Sequence, residues 1–300
     1  DITYYYEVFP SNNLELGLWM ESERLLHPVI NQIGVDTQNE VVKEEKRLRI
    51  NNQPYGNILY AVKNNLFTKH PYRWSTIGSM DHLDAATLEE FIAFKEKFYV
   101  PNNAVLVVAG DIEPKKTKKM IEDYFGPIPR GKEVEKINIK EDLITKQIDA
   151  VHYDENIQIP AIIHAYRTPG KTERDASVLN MISNILSGGK SARLYKKMVD
   201  ENKSALEVAA INLSQEDYGV YITFALPMED TSLEQITKEI DEEIVRLQTD
   251  LISEREYEML LNTFENRYVQ SNSSIEGIAS SLADYYTFYN DVSKINEELK

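Results

Sequence analysis

The chain has 300 residues, 42% of them hydrophobic and 27% charged, which exceeds one ordinary core and fits a globular protein of about two domains. Its formal net charge of -16, from 33 basic and 49 acidic side chains, argues against nucleic acid as a partner, because no cationic surface is left to neutralise phosphates. Without cysteine there are no disulfides, thiolate nucleophiles or zinc-thiolate sites, so any metal would depend on His and carboxylate.

Ile2–Phe9 is a Tyr-rich run of β character, and it opens the chain with neither Met nor a signal peptide. Pro10 to Asn13 offers turn and cap chemistry, after which Leu14, Leu18, Trp19, Leu25 and Leu26 mark one face of a helix that ends near Pro28. A second helix is expected from about Thr37 to Arg49, capped by Asp36 or Thr37 and broken by Asn51–Gly56. Thr87 and Glu90 form a capping box for a helix through Tyr99, Ala104–Ala109 suits a buried strand, and Pro114 introduces a helix ending near Phe125.

Gly126–Lys140, rich in Pro, Gly and charge, reads as a linker. Beyond it, strands are expected at 149–154, 161–167, 206–213 and 218–226, with helices at 173–186 and 191–201. Ser232 with Gln235, and Ser253 with Glu256, then cap two further helices, and helix continues to a last residue that stops inside the pattern. A faint echo between Val105–Phe125 and the stretch from Val220 through the helix at Leu233 suggests duplicated domains. The expected class is α+β: two similar sandwich domains, each a mostly antiparallel sheet packed against helices, over 1–126 and 146–300 with 127–145 between them. No stretch approaches the length of a membrane span.

One side chain stands out. At roughly 100° per residue, Glu45 lies about 40° from Val41 and about 60° from Val42 and Leu48, in the middle of the helix's apolar stripe. A carboxylate buried there needs a partner. An Arg, a Lys or a backbone N–H, a proton-transfer role, and ligation of a divalent metal all satisfy that need, and periodicity does not choose among them.

Other candidate motifs fail. Gly188-Gly189-Lys190-Ser191 resembles the end of a phosphate loop, but Asn184 replaces the first glycine and a helix precedes it. The five histidines form neither HExxH nor HxxEH, and His152 and His164, on neighbouring expected strands, read as structural. The acidic run Glu239 to Glu243 reads as a solvated helix face, and no Ser-His-Asp arrangement is evident.

Taken together, VVKEEKRLR followed by NNQPYG, then HPYRWSTIGSMDHLDAATLEEF and FYVPNNAVLVVAGDIEP, resemble in order and spacing the first domain of the pitrilysin/insulinase family of inverted-motif zinc peptidases. VFPSNNLELGLWMESERL resembles the segment after that family's metal-binding helix, and SGGKSARLYKKMVDE the corresponding helix of its second domain. The resemblance implies a zinc held by two histidines of an HxxEH helix and by a later glutamate, which the match places at Glu45. Glu44 and Glu40 are the alternative assignments, and the helical face disfavours both.

HxxEH itself would lie upstream of Asp1, so the resemblance implies a chain lacking two zinc ligands and the catalytic base. Such a chain would hold no zinc and have no activity of its own, and no catalytic residue is assigned within it. The family's substrate-contacting Arg and Tyr would fall near Val199 and Leu206, where neither type occurs. That implies a partner half, on the same chain or a separate subunit, which supplies them. The intact parent is expected to hydrolyse peptides or unfolded polypeptides, in an extracytoplasmic, periplasmic setting suggested by bacterial relatives. The rival reading is a non-catalytic family member that binds peptides or scaffolds a partner half.

Overall fold

The computed structural model describes residues 2–297. In chain order the helices are α1 (Leu14–Leu26), α2 (Gln32–Lys46), α3 (Ile58–Leu66), α4 (Met80–Ala85), α5 (Leu88–Phe98) and α6 (Pro114–Phe125). Then follow β1 (Ile162–Pro169), α7 (Arg174–Ser187), β2 (Ala205–Ser214), β3 (Tyr218–Pro227), α8 (Leu233–Thr249), α9 (Glu254–Ser271) and α10 (Ile275–Tyr289). Two π-helical turns, Arg47–Asn51 and Tyr195–Glu201, interrupt this order. The chain divides into two compact units that alternate in sequence: one holds 51–74 and 140–267, the other 2–50, 75–139 and 268–297.

The first unit is built on an antiparallel sheet of order β1-β3-β2. Because side chains alternate along a strand, central β3 feeds two cores. Tyr221 and Ala225 join Val208 and Ala210 of β2 beneath Leu186, Leu194, Met198, Ile236 and Ile240. Val220 and Ile222 face the other way, onto Val62, Leu66 and Phe67 at the α3 end. The sheet therefore carries helices on both faces, and the α+β class expected from sequence is the one observed.

A buried polar clasp closes this unit. The Glu141 carboxylate, 1% exposed, accepts from the backbone N–H groups of Thr68, Lys69 and His70 at 2.9, 2.6 and 2.7 Å and from the Thr68 hydroxyl at 3.0 Å. Arg167 pairs with it at 3.3 Å. Burial opposes the ionised form, yet these donors outweigh it and hold the carboxyl down to about 2. Beside it, buried His70 takes the Tyr72 N–H on Nδ1, which leaves Nε2 to donate to Asp217 at 3.2 Å.

The second unit is helical among its described residues, with Leu18, Val35, Val100 and Ile128 buried. Capping follows the sequence closely: Thr87 and Glu90 make the reciprocal box, and in the first unit the Ser232 side chain caps α8 by accepting from the Gln235 N–H. The α2 start differs. Asn31 rather than Asp36 or Thr37 is the cap, its side chain accepting from Gly34 N at 2.8 Å, so the helix begins five residues before the expected Thr37.

The runs 2–9, 104–109 and 149–154, expected as strands, pair in no ladder. Their composition favours extended chain, but a strand also needs a neighbour to bond. The acidic run of α8 departs too: Glu239 and Glu243 are buried, not solvated. Both flank the Ile236–Ile240 stripe, where Glu239 accepts from Ser204 and Gln235 and Glu243 pairs with Lys197 and Arg246.

Candidate functional site

Helix α2 is fastened through a polar stripe. Asn39 Nδ2 donates to Leu83 O at 3.1 Å and Lys46 Nζ to Gly78 O at 2.7 Å, while Lys43, only 11% exposed, pairs with both Asp84 and Glu40. Those carboxylates, Asp84 foremost, raise the Lys43 pKa. Val35 continues the stripe as its buried apolar member.

Glu45 is on the other side. Measured around the helix from the centre of the Asn39–Lys43–Lys46 stripe, Val41 and Glu45 lie roughly 120° to 170° away, and Leu48 follows in the π-helical turn. Val41 is 52% and Leu48 55% exposed, and the Glu45 side chain is 39% exposed with Oε1 on the Arg49 guanidinium at 2.7 Å. The expectation that Glu45 is buried is thus corrected. The helical wheel rightly groups it with apolar neighbours, but grouping does not say whether anything covers the face. Among the described residues its charge partner is Arg49, four residues on, a pairing the spacing alone makes favourable. Glu44 is likewise paired, with Arg47, and Glu40 with Lys43.

Glu45 is part-exposed with its Oε1 held by Arg49, and as a metal ligand it would supply one carboxylate. It would be one ligand only: among the described residues no three His, Asp or Glu side chains converge as a metal cage. His164 lies on β1 with Nδ1 4.0 Å from Asp241, while His152 falls outside any strand. Val199 packs against the α7–α8 core and Leu206 is half exposed on β2.

A groove of about 1620 Å³ lies between the Tyr195–Glu201 turn, α8 and the start of α9. Two sets of ion pairs lie in its lining. Arg193 holds Glu256 in a bidentate pair at 2.6 and 3.0 Å, keeping that carboxyl at about 2, and Lys197 bridges Glu242 and Glu243.

Comparison with known proteins adds a lineage to this geometry. The family profile described as "Peptidase M16 inactive domain" matches residues 85–264, more than half of the chain. The chain belongs to this family. Glu45 lies outside the matched stretch. The M16 chain is 25% identical over 299 residues to "Zinc protease PqqE" of Helicobacter pylori, covering 99% of this chain and 67% of that protein. Among solved structures it is similar to a protease from Helicobacter pylori (TM-score 0.88, 24% identity, 97% of this chain and 71% of that one). It is also similar to the first half of the periplasmic protease PqqL from Escherichia coli (TM-score 0.67, 18% identity, 97% and 64%). The chain spans about half to two thirds of the length of the curated relatives it matches. Among the described residues no helix is long and apolar enough to cross a membrane.

Proposed function

We propose that this M16 chain is the zinc-bearing half of a metallopeptidase that hydrolyses peptides or unfolded polypeptides, with Glu45 as the carboxylate ligand. The observation that supports the reading is the part-exposed carboxylate of Glu45 on the side of α2 away from its packed stripe, at the position that the sequence resemblance matches to the family's third ligand. The two imidazole ligands and the general base would come from residues outside this chain. A bound zinc would supply Lewis-acid polarisation of the scissile carbonyl and make water a better nucleophile at neutral pH. Glu45 contributes negative charge and an oxygen donor, and Arg49 balances that charge when no metal is present.

Substrate would lie as an added strand along a sheet edge, so length and flexibility would matter as much as side chains. A second family half would supply the Arg and Tyr that are not found at Val199 and Leu206. The domain limits 1–126 and 146–300 are proposed for that architecture. A periplasmic setting is proposed by analogy with the periplasmic protease of Escherichia coli.

A second reading has its own support. The matching profile is named for an inactive domain, and a Glu45–Arg49 pair serves a non-catalytic, peptide-binding or scaffold half equally well. Zinc content separates the two. In the intact protein, about one zinc per chain is expected, and Glu45→Gln should remove most of it while leaving the circular dichroism spectrum unchanged. Wild-type zinc retention by Glu45→Gln would overturn the ligand assignment, and a zinc-free intact protein would favour the scaffold.

A further inference from the structure

Helix α2 meets its neighbours through a mixed face, polar at Asn39, Lys43 and Lys46 and apolar at Val35 and part-buried Val42, while Val41 on the far side is exposed. Exposed Val41 gives α2 a reason to roll and bury it. Rolling would drag Glu45 inward with it, because the two lie about 40° apart on one face, and a carboxylate without full pairing resists burial. It would also break three side-chain contacts spaced at residues 39, 43 and 46: Asn39 to Leu83 O, Lys43 to Asp84, and Lys46 to Gly78 O. All three partners lie between Gly78 and Asp84, in α4 and the turn before it. The contacts therefore fix one rotational setting of α2 and no other.

We infer that Lys43 and Asp84, with Asn39 and Lys46, are positioning residues that hold the rotation of α2 so that Glu45 stays presented outward. None of the four touches the Glu45 carboxylate among the contacts described, so their influence on it runs through the helix backbone. The inference rests on the reading of Glu45 as a ligand for its functional meaning, but the rotational lock can be judged without that reading.

Two measurements test it. In this chain, hydrogen exchange should show the amides of residues 41–46 exchanging about tenfold faster in Lys43→Met than in wild type, with α5 amides unchanged and Lys43→Arg restoring protection. In the intact protein, Lys43→Met should weaken zinc binding about fivefold and Asp84→Asn about threefold, with Lys43→Arg within twofold of wild type. Unchanged α2 exchange in Lys43→Met would overturn the lock. Faster exchange with wild-type zinc affinity, in a protein whose Glu45→Gln variant does lose zinc, would overturn the positioning role. If Glu45→Gln keeps its zinc, the ligand reading is what fails, and the exchange result alone decides the lock.

Discussion

Replacing Glu141 by Gln keeps the shape of the clasp and removes its charge. The carboxyl titrates at about 2 in the fold against an ordinary 4.5, and at 1.36 kcal/mol per pH unit that difference corresponds to about 3 kcal/mol of stability at neutral pH. Because the folded value is the lower one, the contribution is complete above pH 4.5 and is lost as pH falls towards 2. Gln leaves Arg167, 9% exposed, without its counter-charge, and its amide group meets donors it cannot accept from. For the roughly 150 residues of this unit, about 3 kcal/mol should lower Tm by roughly 6–12 °C. The two tryptophans lie in different units, Trp19 in the helical one and Trp74 just past the clasp, so Trp19→Phe lets fluorescence report on the clasp-bearing unit alone. Urea denaturation of that protein with and without Glu141→Gln, at pH 7 and at pH 3, measures the effect. A difference below about 1 kcal/mol at pH 7, or one that does not shrink at pH 3, would show that the clasp does not hold the unit as argued.

Two further perturbations probe the same unit. Arg193→Lys keeps the charge but loses the bidentate geometry on Glu256, and a loss of about 1–2 kcal/mol is expected in thermal unfolding; an unchanged Tm would mean the pair is worth no more than a surface bridge. Gly219→Ala would place a Cβ 2.4 Å from Thr168 Oγ1 and 3.1 Å from the carbonyl oxygen of Leu213 inside the central strand, and should cost about 1–3 kcal/mol by urea titration, whereas wild-type stability would show that the strand yields freely there.

What sequence reveals depends on where the partners of each residue come from. The helices from 174 to 271 and the strands from 162 to 227 were legible because their period, caps and turns are local, as with Ser232 and Gln235 at the start of α8. The clasp was not. Glu141 stands in a charged stretch indistinguishable in composition from exposed Glu133 and Glu135, and its donors are backbone groups about seventy residues upstream. The start of α2 was missed for a different reason, since Asn31, Asp36 and Thr37 are all good caps and only the Gly34 N–H, bonded to Asn31, decides.

Comparing α2 with α8 isolates the quantity that a helical wheel does not contain. Glu239 and Glu243 flank an apolar stripe of α8 and are buried, because Ser204, Gln235, Lys197 and Arg246 are there to receive them as the stripe docks on the sheet. Glu45 sits beside apolar Val41 on α2 and stays partly exposed, because the opposite face supplies the contacts that fasten the helix. A wheel gives angles between side chains of one helix; which face is covered depends on partners elsewhere in the chain. For α2 those partners are the backbone carbonyls of Gly78 and Leu83 and the carboxylate of Asp84, each a polar group that hydrophobic periodicity gives no weight.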